Sequence, residues 1–356
     1  MINELIKGVD DLKLRLDRQD AFWENEIIDR PVISICAPKI HQSPEPDRPE
    51  DIRALWLDVD LAIENQLYEL DKYEYLGDAL PVVFPNLGPD LYSSYYGGSL
   101  VYEETTSYIQ PFLKQWEDLE TLSPDRKGEK FMKIEELYDA LFDLAPGRFF
   151  VGWPDLHGGA DCLSGMRGPE TLCMDLYDAP QEIKKGIKKI TPEFIQLFDY
   201  YHEKTKSAGQ PCCGWPGIVS RKKWHVPSND FSYMISEEQF GEFFLEGIIQ
   251  EIRGTEASIF HVDGPGVLKH LDVLLDIPEL NAIQWVYGAG NGRASDHLPI
   301  YQKIQKAGKG IQILDVEPDE IRILMENLKP EGVWIKALVK NRDEGEYMLR
   351  EVDKWV

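Results

Sequence analysis

Residues 258–288 read SIFHVDGPGVLKHLDVLLDIPELNAIQWVYG. Two short apolar runs rich in β-branched residues, Ser258-Val262 and Ala282-Val286, flank an amphipathic stretch, Pro265-Leu275. Runs this short, closed by Gly, Pro or Asp, predict buried parallel strands, because a strand covered on both faces needs no polar alternation. The stretch between them predicts a return helix. The same unit recurs downstream, with strands at Ile311-Leu314 and Gly332-Ile335 and helices at Asp296-Ala307, Glu317-Asn327 and Asn341-Lys354. The units are about 25–30 residues long, the size of a βα repeat.

Four more runs lie upstream: Pro31-Cys36, Leu80-Phe84, Phe149-Trp153 and the less regular Cys212-Val219. Helical spacing marks Glu50-Leu70, Ala179-Lys206 and Ser236-Arg253, the last opening on a capping box with Ser236 as N-cap and Gln239 at N3. Eight strands alternating with helices predict an α/β fold, a (β/α)8 TIM barrel. We expect one domain over residues 1–356, with an N-terminal helical extension at 1–30. No Gly-rich phosphate fingerprint follows the first strand, which argues against a doubly wound dinucleotide-binding sheet.

The net charge is −25, from 63 acidic and 38 basic residues. That excess repels polyphosphates and anionic lipid, so neither a nucleic acid nor a membrane surface is an expected partner. No stretch approaches the ~20 apolar residues of a membrane span. The charged start of the chain lacks the apolar core of a signal peptide. The five cysteines include the adjacent pair Cys212-Cys213 and form no secreted-type framework. A cytoplasmic protein is the expectation.

In a parallel α/β fold, function collects where strands end and βα loops begin. His261 and Asp263 fall two apart at such an end and project to one face, where they can relay a proton or hold a metal. A histidine on an apolar strand can instead be a core residue bonded to a carbonyl. The paired Asp263 and the Gly264 turn favour the site, with both residues catalytic or metal-binding. The other strand ends supply Asn86, Trp153, Asp155, His157, Trp215, Trp285 and Tyr287, with Trp224 in the loop after the fourth run. Flat rings with fixed polar groups are what a small-molecule pocket needs, and these residues are the expected substrate contacts. Arg167 is a candidate counter-ion for a substrate carboxylate, or one half of a structural ion pair.

Four segments resemble the uroporphyrinogen decarboxylase superfamily, which includes zinc-dependent methyltransferases acting on corrinoid proteins. They are Phe22-Trp23-Glu24 with Ile28-Asp29-Arg30-Pro31-Val32, Leu163-Pro180, Asn229-Ser236, and Phe260-His261-Val262-Asp263-Gly264. The resemblance implies a (β/α)8 barrel with its cleft at the strand C-termini. Three departures qualify it. Decarboxylases of the family grip their acidic porphyrin with arginines near the first strand, whereas Ile33-His41 holds Lys39 and no Arg. The family's central aspartate is replaced by Asn86. The family's zinc site uses His-x-Cys and a later Cys; here Asp263 stands at the first Cys position and no Cys lies near Lys336.

The function expected is therefore methyl transfer of the corrinoid type on a small polar substrate, with a diverged site for a divalent metal such as zinc. A methylammonium compound or a polyol suits aromatic walls beside acidic groups. The alternatives are a decarboxylase (lyase) and a non-catalytic binding subunit of a methyl-transfer system. A corrinoid protein is the implied partner, and a homodimer the implied assembly.

Overall fold

The computed structural model describes residues 6, 7, 9–40 and 43–355. Residues 1–5 and 8 of the expected extension, and 41 and 42 of the loop after the first strand, lie outside them. Thirteen strands occur among the described residues: β1 (Val32–Pro38), β2 (Tyr73–Gly77), β3 (Val82–Val83), β4 (Leu100–Tyr102), β5 (Ser107–Ile109), β6 (Phe150–Val151), β7 (Cys212–Cys213), β8 (Val219–Ser220), β9 (Trp224–His225), β10 (Ala257–Asp263), β11 (Ala282–Val286), β12 (Gly310–Val316) and β13 (Val333–Ala337). Seven form one sheet in the order β2-β1-β13-β12-β11-β10-β9, parallel throughout except for the edge strand β2. The fold is thus mixed α/β, built on a central, mostly parallel sheet with many helices.

The four C-terminal strands fall where the sequence places them, because each is a continuous apolar run that the sheet buries almost throughout. The N-terminal half departs from expectation. The second and third runs shrink to the two-residue parallel pair β3 and β6. The run Cys212-Val219 breaks into the antiparallel pair β7 and β8, because Trp215-Pro216-Gly217 interrupts it, with Gly217 at φ 78°. Strand β2 and the hairpin β4-β5 were not foreseen; β2 alternates Tyr, Glu and Leu and all its residues are half-buried, so it lacks an apolar-run signature. Backbone bonds bring the short pairs together: Gly152 N–H donates to Val83 O, and Trp153 N–H to Cys213 O. A Cβ on Gly152 would stand 2.5 Å from the Cys213 oxygen, so this approach requires glycine.

The predicted helix Ala179-Lys206 is observed as Pro180–Ser207, with Pro180 at its start. The Ser236 capping box forms, with the helix split into Glu237–Phe243 and Leu245–Arg253. The helical extension contains Leu12–Phe22. Asp78, fully buried, anchors it by accepting bonds from Arg18, Arg30 and the Ile33 N–H. Gln19 extends the tie, donating to Asp78 O and accepting from Val219 N–H. Buried ion pairs of this kind fix geometry more surely than they add stability. No described helix is long and apolar enough to cross a membrane.

Candidate functional site

Along β10, Phe260 and Val262 are buried, while His261 and Asp263 alternate to the other face and open toward solvent at the strand end. The parallel register sets His261 opposite Gln284 on β11, and Gln284 opposite Gln312 on β12. The three side chains form a chain of hydrogen bonds: His261 Nδ1 to Gln284 Oε1 (2.5 Å), Gln284 Nε2 to Gln312 Oε1 (2.6 Å), and Gln312 Nε2 to Pro216 O (3.4 Å). With Gln284 oriented to donate to Gln312, its oxygen accepts from His261, so Nδ1 carries the proton. Nε2 then presents a lone pair to a cation or a substrate proton.

The segment that follows β9 supplies the next group. Ser228 bridges to His261, and Asn229 caps a short 3-10 helix, Asp230–Met234. Asp230 is thereby placed so that Asp230, His261 and Asp263 offer ligand atoms within 4.8 Å of one another. Asp230 also belongs to a second such group, with His157 and Asp161. Asp161 is held by the Ser228 hydroxyl and the Phe231 N–H, both at 2.9 Å. His157 lies 3.5 Å from Asp155 and 3.8 Å from Asp161. No Lys or Arg among the described residues pairs with Asp155, Asp161, Asp230 or Asp263; His157 is the ionic partner of the first three there.

The electrostatics follow from that arrangement. Burial alone would depress the His157 imidazole, but contact with Asp155 and the charges of Asp155, Asp161 and Asp230 push it up to about 10. Burial, reinforced by Asp230, raises the Asp161 carboxyl. Behind this group His225 Nε2 and Glu251 Oε2 stand 3.5 Å apart, both side chains 2% exposed. Burial, with the charges of His157 and Lys223, depresses His225 to about 3; burial, with Asp161, raises Glu251 to about 8. Both are therefore largely neutral at pH 7.

A cavity of about 590 Å³ lies beside the cluster. Its walls include Ser34 and Cys36 from β1, Val82 and Val83 from β3, Lys336 from β13, and the Gly214–Gly217 segment. Trp215 joins cavity and cluster: it lines the first, and its ring stands edge-on to His261 at 5.3 Å and 89°.

Of the expected substrate contacts, Asn86 and Trp215 line this cavity, and Asp155 and His157 join the cluster. Trp153, Trp224 and Trp285 are at most 1% exposed and pack in the core; Trp224 donates to Cys212 O and packs tilted against Trp23 and edge-on to Trp153. These three therefore present no surface to a ligand, because the sheet and its covering helices enclose them. Tyr287 stacks on His297 at 4.6 Å. Arg167 binds both oxygens of Asp175 and donates to the carbonyls of Leu113 and Lys114, so it is the structural ion pair. Sequence reasoning did not select Asp230, Gln284 or Glu251. Glu251 had a signal, since it lies three residues after Ile248 on an otherwise apolar helix face. Asp315, at the end of β12, adopts φ 54° beside a register shift between Ile313 and Val316, a strand-end bulge with no sequence signature.

No protein-family model matches the chain, and no curated protein sequence matches it. Among solved structures it is similar to a methyltransferase from Methanosarcina mazei, with a TM-score of 0.59 and 10% identity, over 96% of this chain and 98% of that one.

Proposed function

We propose that the chain is a methyltransferase-like enzyme of the uroporphyrinogen decarboxylase type, a single (β/α)8 domain that binds a small molecule in the cavity and acts on it at Asp230, His261 and Asp263. The carrying observation is the convergence of these three side chains beside Trp215, which also lines the cavity. The barrel reading draws support from the bonds linking β3, β6 and β7, and from the likeness in fold to the archaeal methyltransferase over nearly its whole length. At this identity the likeness supports the fold, and the reaction is our inference.

The donor set of Asp230, His261 and Asp263 suits a divalent cation bound through oxygen and nitrogen; thiolate-bound zinc does not fit, since no cysteine joins either cation-competent group among the described residues. A divalent cation held there supplies Lewis acidity to a substrate oxygen or nitrogen. His261, its Nδ1 proton held by Gln284, offers Nε2 as ligand or as proton acceptor. Trp215 packs edge-on against the imidazole and limits its tilt. The resemblance adds a corrinoid protein as methyl acceptor or donor, and a homodimer, to the proposal.

A tetrapyrrole decarboxylase is disfavoured, because Arg48 and Lys336 are the cavity's cations and Arg48 already pairs with Glu45 and Glu104. A non-catalytic subunit is disfavoured by the open cavity and by a His261 bonded to a side-chain amide rather than capped by a carbonyl. The test is metal analysis of the purified chain with a thermal-shift screen of methylamines, methoxy-aromatics, polyols and porphyrinogens. We expect a divalent metal that Asp230→Asn removes and a shift with a methyl-bearing compound. Absence of metal together with a porphyrinogen shift refutes the proposal.

A further inference from the structure

The cavity has a charge pattern that runs against the chain as a whole. Each of its carboxylates is engaged by a cation: Glu45 and Glu104 share Arg48 at 3.5 and 3.4 Å, one carboxylate more than that guanidinium neutralises, and Glu69 pairs with Lys72. Lys336 lines the same cavity and has no salt-bridge partner among the described residues, in a chain with 63 acidic residues. The parallel register of β13 with β1 sets it opposite Ser34, and its charge reaches Cys36. Cys36 is open to the cavity yet ringed by protein, so burial raises its thiol pKa while Lys336 opposes the shift. Among the remaining walls six residues carry aromatic rings, Trp56, Tyr68, Tyr73, Tyr75, Phe84 and Trp215, beside aliphatic and small polar ones.

We propose that this cavity binds an apolar, ring-bearing organic monoanion, with Lys336 anchoring its charge and the aromatic walls covering its ring. The inference rests on reading the cavity as the small-molecule site, and it names the ligand class, in place of the methylammonium compound or polyol expected from aromatic walls beside acidic groups. A cavity of about 590 Å³ is several times what a methylamine fills and suits a ring with substituents. Aromatic walls attract cations as well. Here the lining carboxylates that would hold a cation are already paired, and an unpaired ammonium repels it. A carboxylate on Lys336 gains a charge-assisted hydrogen bond in a site partly screened from water.

The probes are benzoate, its neutral analogue benzamide, and benzyltrimethylammonium. Binding is read by calorimetry and by protection of Cys36 from alkylation, mapped by mass spectrometry. Cys36 is exposed, Cys162, Cys212 and Cys213 are buried, and the partly exposed Cys173 serves as internal control. We expect benzoate to protect Cys36, benzamide to bind roughly tenfold more weakly, and Lys336→Met to lose roughly tenfold in benzoate affinity while Lys336→Arg retains it. An unchanged melting temperature of Lys336→Met excludes a folding defect. Tighter binding of benzyltrimethylammonium, no benzoate binding at millimolar concentration, or benzoate binding indifferent to Lys336→Met overturns the inference. Benzoate binding that depends on Lys336, with no methyl transfer, leaves this site standing and refutes the proposed reaction. Methyl transfer without anion binding does the reverse.

Discussion

Replacing Glu251 by glutamine should stabilise the fold at neutral pH. Glu251 is enclosed by protein, with Gly158 so close that a Cβ there would stand 2.6 Å from its Oε1. Burial raises its carboxyl to about 8 from an ordinary 4.5. The folded chain therefore holds a proton that the unfolded chain gives up, and stability falls as pH rises from 4.5 to about 8. At pH 7 the cost is about 2.5 pK units at 1.36 kcal/mol each, or about 3 kcal/mol. Glutamine is neutral at every pH, has the same shape, and keeps a donor facing His225 Nε2 across the 3.5 Å gap. Glu251→Gln should thus gain up to about 3 kcal/mol at pH 7 and almost nothing at pH 4. With an unfolding entropy of about 2.1 cal/mol/K per residue, the gain at pH 7 is about 4 °C in melting temperature. The assay is calorimetric melting of both proteins from pH 4 to 8. His157 titrates over a higher window, from 6.5 to about 10, and its slope cancels in the difference. A variant less stable at pH 7, or a difference independent of pH, refutes the reasoning.

Other perturbations separate site from scaffold. Gln284→Leu should weaken divalent-metal binding about 10–100-fold by freeing His261 Nδ1, and Gln284→Glu, which keeps the acceptor, should restore it; equal losses in both, read by metal titration, would show a packing role instead. Arg167→Met should destabilise by about 3–5 kcal/mol, leaving Asp175 buried and unpaired, with benzoate protection of Cys36 unchanged. Asp78→Asn should cost a similar ~3–5 kcal/mol in urea unfolding, because Arg18 and Arg30 lose their shared carboxylate. His225 is depressed to about 3, so its neutral form loses stability as pH falls from 6.5 toward 3. His225→Asn should flatten the acid limb of the melting profile, and an unaltered limb would exclude this source.

The sequence by itself determined the parallel strands β10 to β13 and their helices, since each is a continuous apolar run or a capped 3.6-residue pattern that local physics reads alone. It also located His261 and Asp263 at a strand end, because a period of two and a glycine turn are local facts. It did not determine β2 or the two-residue pairs of the N-terminal half, whose backbone bonds depend on partners far away in sequence. Nor did it separate Trp215, on the cavity, from Trp153, Trp224 and Trp285, in the core. All four stand near strand ends, and which one meets solvent depends on how the helices close over the sheet. Asp230 is the sharpest case. It lies 31 positions before His261 on a 3-10 helix held by Asp161, and only the folded chain makes it the third arm of the His261–Asp263 pair. Lys336 likewise reads in the sequence only as the residue after the eighth strand, and the register of β13 with β1 turns it into the wall of a cavity.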